Sequence, residues 1–186
     1  MTGLLAAKRR LRIVEFGAGG LRNAAFLLDR GHDVTVVELP ATGNRFSELY
    51  ADFIARGGKL SLWEEVVKRP KRRHGAFDLA IITFVIETIC QSRMRLRMLR
   101  ECLHRLKVGG SLLISVRGIS DVEPGLSKGL PCSDGYLTPL HTFARSYTCD
   151  QLRTLLSDSG FTAIEMLHKS YAPAPELINA IAKRAA

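Results

Sequence analysis

The stretch from Ile13 to Ala24, I-V-E-F-G-A-G-G-L-R-N-A, constrains this chain more than any other. Apolar, β-branched residues run into glycines and then into a helical pattern, so the segment reads as a buried strand, a tight turn and a helix start. Glycine lets the backbone approach a ligand where a Cβ would clash. The first N–H groups of the helix are free to point at whatever lies beyond the strand's carboxyl end. A dinucleotide's pyrophosphate asks for G-x-G-x-x-G/A. Gly17 and Gly19 fit that pattern, but its sixth position is Arg22, and Glu15 puts negative charge beside the turn. A ligand with a cationic end and no phosphate suits Glu15-x-Gly17-x-Gly19 better. A strand-to-helix turn with no ligand is the third reading.

The rest of the chain repeats strand and helix. Leu11–Phe16 is the first strand, and a helix over 21–30 follows, with Leu21, Ala24, Ala25 and Leu28 at helical spacing and Gly31 ending it. The second strand, Asp33–Leu39, carries Glu38 at its end, 21 positions after Gly17, where an acid can accept hydrogen bonds from both hydroxyls of a ribose. Pro40 breaks that strand. A helix is expected over 46–56 and a third strand over Lys59–Trp63, followed by Glu64 and Glu65. Phe77–Phe84 is the fourth strand. The helix over 92–106 has Leu96, Leu99, Leu103 and Leu106 as its expected buried stripe, and Arg93, Arg97, Arg100, His104 and Lys107 opposite. Leu106-Lys107-Val108-Gly109-Gly110 leads into the fifth strand, Ser111–Val116. The Gly- and Pro-containing stretch over 117–147 reads as an irregular loop able to fold over the site as a lid, and holds Arg117, Tyr136, His141, Arg145 and Tyr147. A helix over 150–159 with Thr148 as N-cap and a strand over 161–168 follow, whereas 176–183 is ambiguous, since its helix propensity is good.

Four features in this order resemble the class I S-adenosylmethionine-dependent methyltransferases. They are the Glu15-x-Gly17-x-Gly19 turn, the strand-end Glu38, the Phe77-Asp78-Leu79 strand with Val85–Ile89 after it, and the Leu-Lys-x-Gly-Gly turn before the fifth strand. Where the family often has a third glycine, this chain has Leu21. The resemblance implies one Rossmann-like α/β domain over 1–186: a doubly wound, mainly parallel seven-stranded sheet with the last strand antiparallel and helices on both faces. It alone makes Leu177–Lys183 that last strand. It implies S-adenosylmethionine as cofactor. Glu15, Phe16, Gly17, Ala18 and Gly19, with Asn23, would serve the methionine side, Glu38 with Leu39 the ribose, Glu64 the adenine side, and Thr83 and Phe84 the pocket. Trp63 is the other residue able to lie against an adenine ring, though a lone Trp is more often core. Two shorter stretches, Phe84–Ile89 and Gly135–Thr138 with Thr142–Thr148, resemble bacterial methyltransferases associated with DNA phosphorothioation.

The methyl of a sulfonium is already activated, so catalysis needs mainly positioning and sometimes a base. Glu87, Tyr136 and His141 are the candidate bases. No N/D-P-P-Y/F motif follows the fourth strand and no Pro-Cys pair lies directly after it, Pro131-Cys132 coming only beyond the fifth strand, which weighs against amino-methylating nucleic-acid enzymes and cytosine C5 chemistry. The expected acceptor is a small molecule. A net charge of +9 and the basic run Lys68–His74 keep a nucleic acid as the alternative. A catalytically silent cofactor-binding subunit is the third possibility, and a nucleotide-dependent oxidoreductase the weakest. Cys90, Cys102, Cys132 and Cys149 show no metal-ligand spacing and read as free thiols. Without a membrane-spanning run or a signal-type apolar segment, a cytoplasmic monomer or homodimer is expected.

Overall fold

A computed structural model describes residues 9–68, 75–120, 122, 128–167 and 177–185. Most of the basic run, 69–74, lies outside them, as do the first eight residues. Among the described residues no helix is long and apolar enough to cross a membrane.

Seven strands form the main sheet: β1 (Arg12–Phe16), β2 (Asp33–Glu38), β3 (Lys59–Leu62), β4 (Phe77–Thr83), β5 (Leu106–Arg117), β9 (Phe161–Met166) and β10 (Leu177–Arg184). Their spatial order is β3-β2-β1-β4-β5-β10-β9. The first five pair in parallel, and β10 runs antiparallel to both β5 and β9. The order reverses between β1 and β4, which opens a crevice at the carboxyl ends of those strands. Strand β1 is buried from Ile13 to Phe16, as a central parallel strand covered on both faces must be.

The helices are α1 (Arg22–Asp29), α2 (Pro40–Arg45), α3 (Ser47–Ala55), α4 (Trp63–Lys68), α5 (Ser92–Arg105) and α6 (Cys149–Asp158). Alternation along the strands sorts the core into two layers. Ile13, Val34, Val36 and Ile81 join Ala24 and Leu27 of α1 and Tyr50 and Phe53 of α3 on one face. Val14, Phe16, Ile82 and Ile114 join Leu99 and Cys102 of α5 and Leu152 and Leu156 of α6 on the other. Thr148 caps α6 as expected: its hydroxyl accepts the Gln151 N–H at 3.1 Å while Gln151 Oε1 accepts the Thr148 N–H at 3.0 Å.

Pro40 ends β2 as expected and, with its fixed φ, also opens α2 at the first helical position. Four other local expectations are corrected. Trp63 begins α4 instead of ending β3. The inward stripe of α5 is Arg95, Met98, Leu99 and Cys102, with Leu96 and Leu103 only half-buried. The Leu106–Gly110 turn is absorbed into β5 as an irregularity, since Phe77 pairs with Leu106 but Leu79 pairs with Ser111. The described part of 117–147 is ordered as a small antiparallel sheet of β6 (Leu130–Cys132), β7 (Gly135–Leu137) and β8 (Phe143–Ala144). Strands of two or three residues are too short to show a period in the sequence.

Candidate functional site

The turn after β1 uses the left-handed conformation three times, with φ of +69° at Gly17, +52° at Gly19 and +60° at Leu21. Leu21 therefore takes a backbone conformation that favours glycine. A non-glycine residue there costs about 1–2 kcal/mol. The Leu21 side chain is 3% exposed, and burying a leucine contributes about 1.5–3 kcal/mol, enough to hold the conformation. Gly17 has no such latitude, because a Cβ built on it lies 2.5 Å from Val85 Cγ2.

Gly17, Glu38 and Leu39 border a cavity of about 540 Å³ at the carboxyl ends of β1 and β2. That volume is ample for a nucleoside-sized ligand. Its other walls come from Trp63 and from the segment Val85–Met98, including Ile89, Met94 and Met98. Among the described residues Glu38 is the one carboxylate in the wall, and no Lys, Arg or His side chain borders it. The Glu38 carboxylate is held by three donors. Oε2 accepts the Gly19 N–H at 3.0 Å and lies 3.3 Å from the Tyr50 hydroxyl, and Oε1 accepts the Leu39 N–H at 2.9 Å. Oε1 keeps a lone pair for a further donor. Burial and the Glu38 charge push the Tyr50 phenol well above its ordinary range, so it stays a donor. Its hydroxyl also lies 3.2 Å from the Gly19 carbonyl, which links α3 to the glycine turn.

Glu15 lies on the α1 face of β1, behind the cavity wall. Its Oε1 accepts from Asn23 Nδ2 at 2.9 Å, and the same amide reaches Thr83 Oγ1 at 3.5 Å. Its Oε2 is buried and has no hydrogen-bond partner among the described residues. Burial raises the carboxyl pKa, the Asn23 and Ala24 hydrogen bonds oppose that, and the Glu38 charge adds to it. A cation is the group that would relieve this carboxylate.

The expected site residues thus divide. Glu15, Asn23 and Thr83 form one hydrogen-bonded group, and Gly17, Gly19, Glu38 and Leu39 another around the cavity. Phe16 is fully buried and packs edge-on against Trp63, ring centroids 6.3 Å apart. Ala18 accepts the Leu21 N–H in the turn. Glu64 is exposed on the first turn of α4 and does not border the cavity, whereas Trp63 does. Phe84 sits outside the wall with φ +57°, beneath the Arg117 guanidinium. None of the three candidate bases borders the cavity. Glu87 is 1% exposed and its Oε1 accepts the Arg117 N–H at 3.3 Å. The Tyr136 hydroxyl donates to the Val122 carbonyl. His141 is exposed at the β7–β8 turn.

Sequence reasoning missed Tyr50, Val85, Met94 and Met98. The available signal was position, since all four lie at the carboxyl-end rim or on inward helix faces. It also missed Arg95, which is 1% exposed. Its Nη1 donates to the Ile89 carbonyl at 2.6 Å and the Cys90 carbonyl at 3.1 Å, and its Nη2 pairs with Asp134, which also pairs with Arg145. These charges line a second hollow of about 430 Å³ between α5 and α6, but they are already joined to one another. The Arg145 N–H donates to the Glu87 carbonyl at 3.1 Å. So the segments around Glu87 and Arg145 pack together.

No protein-family model and no curated protein gives a significant match to the sequence. Solved structures do match in shape along the whole chain. An S-adenosylmethionine-dependent methyltransferase of Methanosarcina mazei is similar over 100% of this chain and 98% of its own, with TM-score 0.74 and 16% identity. The fold is that of the class I S-adenosylmethionine-dependent methyltransferases. The 1,6-didemethyltoxoflavin-N1-methyltransferase of Burkholderia thailandensis, solved with 1,6-didemethyltoxoflavin and S-adenosylhomocysteine bound, is similar over 100% of this chain and 76% of its own, with TM-score 0.67 and 19% identity. A Mesorhizobium loti S-adenosylmethionine-dependent methyltransferase is similar over 97% of this chain and 96% of its own, with TM-score 0.63 and 15% identity. At such identities the methyltransferase fold is common ground, and chemistry has to be argued from the site.

Proposed function

We propose that this chain binds S-adenosylmethionine and transfers its methyl group to a small-molecule acceptor. The observation that carries the cofactor reading is the charge of the cavity. Among the described residues Glu38 is its only carboxylate and no basic side chain borders it, although the chain as a whole has a net charge of +9. A pyrophosphate would meet an acid there and no counter-charge. A neutral nucleoside with a cationic tail would instead meet a carboxylate that can accept from ribose hydroxyls.

Glu38 would hold the ribose hydroxyls, Trp63, Met94 and Met98 would cover the adenine, and the Gly17–Gly19 backbone would admit the methionine part. When bound, the cofactor supplies an electrophilic methyl group. The chain's part is then to orient the acceptor and exclude water, which needs no base in the wall. The small sheet β6–β8 meets the cavity rim at the Glu87–Arg145 backbone bond and at the neighbouring Cys90 and Cys132, and a small acceptor is the one we expect to bind beside it. A nucleic-acid acceptor is favoured by the exposed Arg93, Arg97 and Arg100 along α5. Duplex or single-stranded binding that weakens steeply with salt would support it.

The test is calorimetric titration with S-adenosylmethionine, S-adenosylhomocysteine and NAD, using wild type and Glu38→Ala. The expected result is micromolar binding of the first two, weakened at least tenfold by the substitution, and no binding of NAD. Losing charge-assisted hydrogen bonds of about 1.5–3 kcal/mol gives that factor. Tighter binding of NAD than of S-adenosylhomocysteine would overturn the reading.

A further inference from the structure

The Cys90 and Cys132 sulfurs lie 3.7 Å apart, although 42 positions separate them in the chain. Cys90 borders the cavity just before α5, and Cys132 ends β6 in the small sheet. Both are half-buried, so a small oxidant reaches them, whereas Cys102 is fully buried.

The approach of the two thiols is held from both sides by one buried side chain. Arg95 donates to the carbonyl of Cys90 itself, and its other nitrogen pairs with Asp134, two residues beyond Cys132. The turn between them is tight, since Cys132 pairs with Gly135 across the β6–β7 hairpin and Ser133 takes φ +54°. Neither cysteine therefore depends on a free loop to meet the other. A disulfide needs the sulfurs at about 2.05 Å, which a modest rotation of both side chains supplies from here.

We infer that Cys90 and Cys132 form a reversible disulfide that fastens the small sheet to the rim of the cavity. The oxidant is a low-molecular-weight disulfide such as oxidised glutathione. One cysteine thiolate attacks it, forming a mixed disulfide and releasing one glutathione thiolate. The second cysteine thiolate then attacks the protein sulfur of that mixed disulfide and releases the other. The two cysteine protons end on the two glutathione thiols, and the two electrons lost by the cysteines reduce the glutathione disulfide. The bond concerns the rim and not its ligand, so it stands whether or not the cavity takes S-adenosylmethionine.

The experiment equilibrates the full chain in a series of reduced and oxidised glutathione mixtures, alkylates the remaining thiols and maps the peptides. Expected is a two-thiol loss, a single cross-linked peptide pair holding Cys90 and Cys132, and Cys102 and Cys149 still alkylated. Closing a loop of this length is expected to raise Tm by roughly 10 °C, reversed on reduction. Amides of 88–91 and 130–137 should exchange more slowly in the oxidised form. Cys132→Ser should abolish the cross-link and the Tm rise together. The inference is overturned if both thiols stay alkylatable across the series, if glutathione caps them separately, if the cross-link engages Cys102 or Cys149, or if it forms only with a fall in Tm.

Discussion

Replacing Arg95 by Met tests what holds the cavity rim. Met keeps most of the apolar stem and removes the guanidinium. The Ile89 and Cys90 carbonyls then lose their charged donor, each such bond contributing about 1.5–3 kcal/mol. Asp134 suffers less. It is 40% exposed and retains Arg145, so its share is about 0–1 kcal/mol. Against these stands the removed cost of burying a guanidinium at 1% exposure, several kcal/mol before its bonds are counted. The balance is a loss of about 2–3 kcal/mol, dominated by the stranded carbonyls. For a chain of this length that lowers Tm by roughly 4–12 °C. Urea and thermal melts of Arg95→Met and Arg145→Met measure it, with Arg145→Met expected to cost about 1 kcal/mol or less. Equal losses in the two variants would refute the reasoning, because Asp134 and not the carbonyls would then be the seat of the effect. A loss below about 1 kcal/mol in Arg95→Met would refute it too.

Two other perturbations follow from the site. Gly17→Ala should cost about 2–5 kcal/mol, from a left-handed alanine and a Cβ 2.5 Å from Val85 Cγ2, and Val85→Ala in that background should recover the overpacking share of about 1–3 kcal/mol. Urea melts of the four proteins decide, and simple additivity would sink the contact. Glu15 has its folded-state pKa raised above 4.5, mainly by burial, so as pH rises through the window between that ordinary value and the raised one the unfolded chain releases a proton the folded chain keeps. Its ionisation therefore opposes folding, fully so above the raised pKa. Glu15→Gln should stabilise the ligand-free protein near neutral pH and confer no gain below the ordinary carboxylate range, read as urea midpoints from about pH 4 to about pH 8. A pH-independent difference would contradict this.

The main sheet was legible because its strands are apolar and punctuated. Glycines at 17, 31, 57 and 160 take positive φ where the pattern changes, and Pro40 and Thr148 mark helix starts by their own chemistry. Glu38 was legible as an acid at a strand's end. The reading failed where identity and environment part company. An arginine in a helix is a surface residue by type, and Arg95 is inside only because two carbonyls of the turn before its helix and Asp134, far off in sequence, meet it. Tyr50 likewise depends on Gly19 and Glu38, on other elements. Glu64 was placed by analogy with relatives, but α4 begins one residue earlier, at Trp63, and turns the indole inward while leaving the carboxylate outside.

Strand β10 lies between β5 and β9, so the last described strand to be made is an interior one. On a ribosome the first five strands can associate as they emerge, but β5 must wait with an unpaired apolar edge until Leu177–Arg184 is released. Until then β9 has no place in the sheet at all. Newly made chains thus pass through a stage in which an open sheet edge is exposed to neighbours, the arrangement that invites wrong pairing between molecules. A truncation before Leu177 would lengthen that stage indefinitely, leaving the glycine turn and its cavity on a body that stays open at one side.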